Sequence, residues 1–278
     1  MDFATIAGLI LGFGAIVLAG WVGGTDPHVI FGRWEALVLI LGGTVGATLL
    51  SFPARTFFKG FFGGFKTAFV EIDFHERDVI ATLVTFAEKA RREGLLALEN
   101  EAAALDDEFM RKGIQLVIDG RDTEIIRKVL ETEVSFVQER GNKAEAVFTS
   151  LGGYSPTLGI IGTVLGLIGM LKGLASAQTG NVTGSIGIAT AQAFVATFFG
   201  ILFANLLWLP IATKIKERYG QLLLLREIMI EGILAIQAGD NPRLLEEKLL
   251  AFLDPKDRES AVDEGGAVAE AGLSASSA

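Results

Sequence analysis

Long stretches of the chain carry no charged residue, and their lengths predict its main elements. Four runs lack Asp, Glu, Lys and Arg, and they cover residues 3–25, 36–54, 146–171 and 173–213. A helix that crosses a bilayer needs about 20 mostly apolar residues, so each of the first three runs has room for one helix. The fourth run begins with the polar, Gly-rich segment GLASAQTGNVTGSIG, which predicts a loop before an apolar remainder. We therefore predict four membrane spans, over about 3–21, 35–53, 150–172 and 188–212.

The first span is expected to remain in the protein as a membrane helix. Secretory signal peptides carry a positive n-region and a small-residue cleavage site around their apolar core. Here the chain begins Met1-Asp2, with no Lys or Arg before the apolar run, and the run is 23 residues long. A cleaved signal peptide is the alternative that these features disfavour.

Basic residues lie almost entirely on one side of the predicted spans. The segment 55–143 holds 14 Lys and Arg residues and the segment 214–258 holds 8, so these two segments contain 22 of the 24 in the chain. Arg33 and Lys172 are the two exceptions, next to the loops on the other side. Because Lys and Arg are enriched on the cytoplasmic side of membrane proteins, we expect both termini and both long polar segments in the cytoplasm.

A Phe-rich segment follows the second predicted span and reads FFKGFFGGFKTAF over residues 57–69. Its aromatic residues recur at i, i+4 spacing, which predicts one aromatic helical face with Lys59 and Lys66 interleaved. These aromatic residues are Phe57, Phe58, Phe61, Phe62, Phe65 and Phe69. The pattern is typical of an amphipathic helix that lies in the membrane interface, and we expect such a helix here. A helix packed against the cytoplasmic domain is the alternative.

The other cytoplasmic residues have the charge density and apolar spacing of soluble helices. Their apolar stripes are formed by Val79, Leu83, Phe86 and Ala90, and by Ile114, Val117 and Ile118. From Asp122 a helix is predicted to continue into the third span, because no Pro interrupts it before position 156. Residues 214–236 are predicted to extend the fourth span in the same way. The tail from about residue 257 is small, polar and Gly-rich, which predicts disorder.

Together these patterns predict an all-α, polytopic membrane protein with four transmembrane helices and a helical cytoplasmic domain. Its expected organisation is transmembrane helices 1 and 2 in 1–54, a cytoplasmic helical domain with the interfacial helix in 55–145, transmembrane helices 3 and 4 in 146–213, cytoplasmic C-terminal helices in 214–256 and a disordered tail in 257–278.

Composition narrows the class of function. Half of the residues are hydrophobic before the 34 Gly are counted, which exceeds the usual share in soluble domains, and the mean hydropathy is +0.47. The net charge of −9 argues against nucleic acid, which requires a basic surface. The lack of Cys removes disulfides and thiolate sites, and two His residues make a His-rich metal site implausible. No nucleophile–base pair or phosphate-binding loop is recognisable, so we expect no enzyme.

The third and fourth spans are polar without being charged. Their hydroxyl, amide and Pro residues are Ser155, Pro156, Thr157, Thr163, Thr190, Gln192, Thr197, Asn205 and Pro210. No span interior holds an ionisable residue, since Glu35 sits at an edge and Lys172 can extend to an interface. A polar lining for an ion path would have to borrow a carboxylate from a partner helix. The alternative is simple helix packing, which the glycines between 159 and 169 promote.

Several segments resemble one known family, the A subunits of bacterial flagellar motor stators (the MotA/PomA family). They are MDFATIAGLILGFGAI at the N-terminus, LILGGTVGATL in the second span, ARREGLLALENE at 90–101, FMRKGIQLVIDGRD at 109–122, YSPTLGIIGTVLGLIGML at 154–171, WLPIATK at 208–214 and MIEGILAIQAGDNPR at 229–243. The resemblance covers about residues 1–254.

The resemblance implies an assembly and a set of partners. Family members form a ring of five A subunits around two B subunits in the bacterial inner membrane. Each B subunit has one span with an essential Asp, which would supply the missing carboxylate, and a peptidoglycan-binding domain. The family converts downhill flow of H⁺ or Na⁺ into torque on the rotor protein FliG. Nothing in this resemblance implies a cofactor other than the transported ion.

The resemblance also implies roles for residues in the two polar spans. Thr163 and Thr197 match the positions that line the ion route, and Pro156 and Pro210 match the prolines that couple ion passage to movement. A Pro removes a backbone hydrogen bond and can kink a helix, which makes a coupling role physically sensible.

Two positions bear on which ion is carried. Sodium-driven members often carry Thr where this chain has Ala196, which favours protons. Gln192 lies about one turn away on the same helix and is expected to add an oxygen to the path.

In the cytoplasmic segment, Arg91 and Glu99 match the charged residues that engage FliG, with Arg92 and Glu101 as further candidates. Charged contacts of this kind give register and fast encounter more than affinity, as a surface that engages and releases repeatedly requires. A solvated helix face is the alternative interpretation of these charges.

Two related functions remain as alternatives. One is a proton-channel subunit that energises outer-membrane transport or envelope maintenance, like ExbB or TolQ, which have three spans and lack the 229–243 motif. The other is a relative that serves anti-phage defence and carries a long tail extension. The fourth span and the short tail of this chain speak against these two interpretations.

Overall fold

The computed structural model describes residues 3–24, 32–70, 75–176, 182–253 and 255 of the chain. Every regular element within these residues is a helix, so the predicted all-α class is confirmed. The helices are α1 (Phe3–Val22), α2 (Trp34–Ser51), α3 (Ala54–Phe69), α4 (Glu76–Glu93), α5 (Glu99–Ala103), α6 (Glu108–Ile118), α7 (Thr123–Ser176), α8 (Val182–Phe203), α9 (Leu209–Ala238) and α10 (Pro242–Leu250).

The chain folds into two compact units. The first comprises Met1–Ile72 and Glu139–Arg218, and the second comprises Asp73–Gln138 and Tyr219–Ala278. The long helices α7 and α9 each contribute residues to both. The tail predicted to be disordered, from residue 257 on, lies outside the described residues.

Four helices in the described part of the chain are long and apolar enough to cross a membrane, as predicted. Two of them are α1 and α2, whose bounds agree with the expected spans to within two residues. The third expected span lies inside α7, which is one continuous helix of 54 residues. The fourth lies in α8 and continues through a π-helical segment, Ala204–Trp208, into α9.

The loop expected between the third and fourth spans is shorter than predicted. Helix α7 continues to Ser176 and α8 begins at Val182, and the five residues between them lie outside the described part. Polar and Gly residues do not end a helix here because a backbone in a bilayer must satisfy its own hydrogen bonds. Local composition therefore overestimated the loop at both of its ends.

Helix α1 has no buried residue within the described part of the chain. Large apolar side chains such as Leu11 and Trp21 are each 72% exposed. A helix that is apolar all round is stable only when a nonpolar environment surrounds it. The exposure of α1 therefore fits contact with lipid or with other membrane helices.

The Phe-rich segment forms α3, and it presents two aromatic faces rather than the one expected. Phe57 is 3% exposed, and Phe61 stacks on Phe148 of α7 with ring centroids 5.7 Å apart. Phe58 and Phe62, by contrast, are 51% and 66% exposed. The two i, i+4 series diverge because adjacent residues point about 100° apart around a helix. One series packs within the first unit, and the other is left free to face a membrane interface.

The second unit surrounds a core of large apolar side chains. Its fully buried members include Leu83, Ile114, Ile126, Ile228, Ile233 and Leu249. Leu83 and Phe86 of the predicted stripe are buried, while Val79 and Ala90 pack against the core from its edge. The helical periodicity therefore identified the core side of α4.

A polar contact holds the start of α6 in this unit. Asp107 precedes α6, and its side chain accepts a hydrogen bond from the Met110 amide at 2.9 Å. Arg226 of α9 donates to the same carboxylate oxygen at 2.7 Å, and its guanidinium lies 4.5 Å from the centre of the Phe109 ring. One carboxylate thus caps a helix and attaches it to a second helix.

Candidate functional site

Helices α7 and α8 approach each other closely in the first unit because glycines line their contact, and we call this contact the glycine seam. A Cβ at Gly200 would lie 2.7 Å from the Ser155 carbonyl oxygen, and one at Gly159 would lie 3.0 Å from the Thr197 Cα. A Cβ at Gly166 would lie 2.9 Å from the Ala193 Cα. These neighbours are backbone atoms, so larger residues would force the helices apart. The packing role that small residues suggested is therefore real.

Thr163 and Thr197 face each other across the glycine seam. Their hydroxyl groups are hydrogen-bonded to each other, and both side chains are half-buried. The Thr163 Oγ1 lies 3.2 Å from the Gly159 carbonyl oxygen and 3.3 Å from that of Ala193. The Thr197 Oγ1 lies 3.2 Å from the same Gly159 oxygen. The structure thus brings the two predicted ion-route residues together, with two backbone carbonyls beside them.

The hydrogen-bonding capacity of this pair determines what it can bind. Each hydroxyl has one hydrogen to donate and two lone pairs to accept with. If one Thr hydroxyl donates to the other and the second donates to a carbonyl, one lone pair is used and three remain. Together with the carbonyl oxygens, these lone pairs form a neutral, oxygen-rich patch suited to a cation or a protonated water.

No carboxylate lies beside this patch on the membrane stretch of α7 or on α8. The stretch 146–171 of α7 and the whole of α8 contain no Asp or Glu. Neutral oxygens alone balance only part of a cation's charge in a low-dielectric environment. The chemistry of the patch therefore calls for an acid from another helix.

Gln192 and Ala196 line a second feature, a cavity of about 260 Å³ between α2, α7 and α8. Gln192 is half-buried, whereas Ala196 is 3% exposed and packs against α7. A Cβ at Gly162 would lie 2.5 Å from the Ala196 Cβ. The two residues thus lie beside the threonine pair and not within it.

The two prolines differ in their surroundings. Pro156 lies inside α7 and removes the hydrogen bond that its nitrogen would donate to the Gly152 carbonyl. Pro210 is preceded by the π-helical segment, where the Leu209 amide donates to the Ala204 carbonyl five residues back. Pro210 also lines a cavity of about 320 Å³ together with Leu206 and Leu207 of that segment. Helix α9 therefore begins with an altered hydrogen-bond register next to unfilled space.

In the second unit, the four predicted rotor-contact residues fall into two classes. Arg91, Arg92 and Glu99 are exposed, and Arg92 lies 3.7 Å from the Glu93 carboxylate. Glu101 instead forms an ion pair with Lys89, with 2.5 Å between nitrogen and oxygen. Within the described residues, Arg91 and Glu99 make no ion pair and so present their charges to solvent.

A turn at Gly94 connects the helix that carries Arg91 and Arg92 to the helix that carries Glu99. Gly94 ends α4 with φ of +86°, and its amide donates to the Ala90 carbonyl at 2.9 Å. A short 3₁₀ helix, Leu95–Leu98, follows it and leads into α5. Leu98 is fully buried and anchors the turn to the core of the unit.

Two buried hydroxyls received no role of their own from the sequence. Thr44 of α2 and Ser155 of α7 are fully buried, and neither side-chain oxygen has a hydrogen-bond partner within the described residues. Their residue types alone gave no signal, because most Ser and Thr residues in membrane helices bond to their own backbone. Only the packing of α2 and α7 distinguishes these two.

Comparison with known proteins links this arrangement to one family. The MotA/TolQ/ExbB proton channel family matches residues 101–228. Motility protein A of Treponema phagedenis is 39% identical over 258 residues, which cover 93% of this chain and 96% of that protein. Chemotaxis protein PomA of Vibrio alginolyticus is 34% identical over 264 residues, which cover 95% of this chain and all of that protein.

A solved structure shows the same fold. The structure of the flagellar MotAB stator complex from Bacillus subtilis contains a chain that matches with a TM-score of 0.83 and 36% sequence identity. The match covers 92% of this chain and 97% of the other. Both the helices and their order along the chain are thus shared over nearly the full length.

Proposed function

The chain belongs to the MotA/TolQ/ExbB proton channel family as a flagellar stator ion-channel subunit, and we propose that Thr163 and Thr197 line the route of its ion. The observation that carries this proposal is the hydrogen-bonded threonine pair, with the Gly159 and Ala193 carbonyls beside it. Its lone pairs face a helix contact that has no carboxylate of its own.

The missing acid comes from a B subunit in this proposal. The matched Bacillus subtilis structure is a MotAB complex, and the resemblance described above gives each B subunit one span with an essential Asp. That carboxylate would accept the proton or hold the cation. The threonine hydroxyls and backbone carbonyls would replace part of the water around the ion. Five copies of this chain around two B subunits would present five such pairs to two carboxylates.

The proposal places the complex in the bacterial inner membrane with both termini in the cytoplasm. The strong bias of Lys and Arg to the segments 55–143 and 214–258 supports this orientation. It puts the charged second unit on the side where a rotor would be reached. Arg91 and Glu99, which are exposed and make no ion pair with any residue that the structure describes, would pass force to FliG, with Arg92 beside them.

Conformational coupling is assigned to the two prolines. Ion passage at the threonine pair would alter the packing of α7 and α8, and each proline marks a point where the helix has lost a backbone hydrogen bond. The cavity beside Pro210 gives the start of α9 room to move.

Removal of the threonine hydroxyls tests the ion route. In Thr163→Val and Thr197→Val the side-chain shape is nearly kept, so the seam still closes, but the lone pairs are lost. We expect ion flux and swimming to fall at least tenfold in each, with normal amounts of complex in the membrane. The measurements are swimming speed and proton uptake by cells that carry the stator in an open form.

Thr213→Val is the matched control, since Thr213 is exposed and its hydroxyl donates to the Leu209 carbonyl of its own helix. Full ion flux in Thr163→Val would contradict the proposed route.

A further inference from the structure

The cavity beside the threonine pair has two ends at different depths, and we call it the Glu35 cavity. Glu35 of α2, Gly169 of α7 and Ala189 of α8 line one end, and Leu39, Gly162 and Ala196 line the other. Gly169 comes seven positions after Gly162 in α7, a rise of about 10 Å. The cavity therefore runs about 10 Å along the helices rather than across them.

Its inner end stops next to the threonine pair. Gly162 and Ala196 are the residues immediately before Thr163 and Thr197. A Cβ at Gly162 would lie 2.5 Å from the Ala196 Cβ and 3.1 Å from the Leu39 Cδ2, so these groups form its floor. The floor of the cavity thus lies one position before each threonine along α7 and α8.

Its outer end carries a charge. Glu35 is exposed, is the second residue of α2, and is the only ionisable residue among those that line the cavity. Gln192, the other polar residue in the lining, lies between the two ends. The Glu35 carboxylate therefore places a negative charge at the mouth of the cavity, where it attracts cations.

We infer that the Glu35 cavity is the outward-facing, water-filled access route of the ion, and that Glu35 concentrates cations at its mouth. This inference rests on the proposed function, because it takes the threonine pair as the destination and the Glu35 end as the outer one. Gln192 provides an intermediate amide oxygen on the way in. Gly169 on the α7 wall keeps the outer end open by contributing no side chain.

Cysteine labelling of intact cells tests the access route, since the chain has no Cys of its own. Gly169→Cys probes the mouth, where a Cβ would have nothing within 4 Å, and Leu39→Cys probes the floor. Val38→Cys is the matched control, because Val38 adjoins Leu39 at the same depth but does not line the cavity. Each variant is expressed with its B subunit and exposed to membrane-impermeant methanethiosulfonates, one with a trimethylammonium group and one with a sulfonate.

We expect both cavity positions to be labelled from outside and Val38→Cys to stay unlabelled. The cationic reagent should react about tenfold faster than the anionic one relative to their rates with a free thiol. Adding Glu35→Gln should remove that preference while labelling continues. Full-length protein in the membrane fraction establishes that each variant folds and inserts.

The inference is overturned if Leu39→Cys reacts no faster than Val38→Cys, or if Glu35→Gln leaves the charge preference unchanged. Labelling does not depend on torque, so the two proposals fail separately. Labelling as expected with full flux in Thr163→Val would keep the access route and reject the threonine route. Absence of labelling with loss of flux in Thr163→Val would reject the access route and keep the threonine route.

Discussion

Glycines at the α7–α8 contact of this stator subunit meet a different kind of neighbour from glycines in its second unit. In the first unit, a Cβ at Gly200 would lie 2.7 Å from a backbone oxygen of the facing helix. In the second unit, a Cβ at Gly113 would lie 2.4 Å from the Cδ1 of Ile233, and one at Gly232 would lie 2.6 Å from the Cδ1 of Leu83. At the α7–α8 contact the membrane helices thus pack backbone against backbone, whereas in the second unit, as at Gly64 and Gly152 of the first, side chains fill the space above the glycines.

This difference follows from what each unit has to position. The first unit holds a small polar pair at a helix contact, and the pair meets only if the two backbones are close. The second unit holds exposed charges on a surface, and a core of large side chains is enough to keep that surface in place. A backbone cannot move out of the way without moving its helix, whereas a side-chain end can change its rotamer.

The largest effect is expected from Gly200→Ala. The added methyl would meet the Ser155 carbonyl and the Gly159 backbone, so α7 and α8 must separate. Overpacking of this kind costs about 1–3 kcal/mol, and the separation also breaks the threonine pair, so we expect swimming to be abolished. Swimming assays together with thermal stability of the purified stator complex measure the two consequences.

Gly153→Ala is the matched control for this change. It lies on α7, and a Cβ there would have nothing within 4 Å, so it should keep its stability and gain slightly from the higher helix propensity of Ala. If both variants swim equally well, the seam does not depend on backbone contact.

A smaller effect is expected from Gly113→Ala in the second unit. The methyl meets the end of the Ile233 side chain, which can rotate, so we expect a loss of about 1 kcal/mol or less and normal swimming. The double variant Gly113→Ala with Ile233→Val, which removes the clashing methyl, should recover part of that loss. Thermal unfolding of the purified complex provides the comparison. A loss as large as that of Gly200→Ala would remove the distinction between the two kinds of packing.

The smallest effects on stability concern the charged surface of the second unit. Glu101→Gln breaks the ion pair with Lys89 and should cost under about 1 kcal/mol, while Glu99→Gln should cost nothing measurable. Charge reversal by Glu99→Arg should nevertheless weaken swimming with a normal amount of complex in the membrane. Thermal unfolding and swimming speed separate the two roles. Normal swimming by Glu99→Arg would remove Glu99 from the rotor contact.

Local features of the sequence were enough for the helical architecture. The four spans follow from runs without charge, because bilayer thickness sets their length. The continuation of α7 from its cytoplasmic start into the third span follows from the stretch without Pro before Pro156, and the buried side of α4 follows from the spacing of Leu83 and Phe86. These inferences need only the residues of one segment at a time.

Candidate residues were found from sequence only as far as a resemblance could carry them. Thr163 and Thr197 are 34 positions apart, and nothing in the pattern of either span shows that they meet. Glu101 was a further candidate two positions after Glu99 in the same short helix, and only the position of Lys89 shows that its charge is paired.

The sequence by itself therefore determined which segments cross the membrane, which segments are helices, and which polar residues are available inside them. The tertiary structure decided which glycines are contacts: Gly159 and Gly200 touch a facing backbone, whereas Gly153 and Gly169 face open space. It also decided that Glu35, an edge residue by sequence, opens onto a cavity that ends beside the threonine pair. The physical reason is that helix formation depends on local backbone hydrogen bonds, whereas cavities and close contacts depend on how distant segments pack.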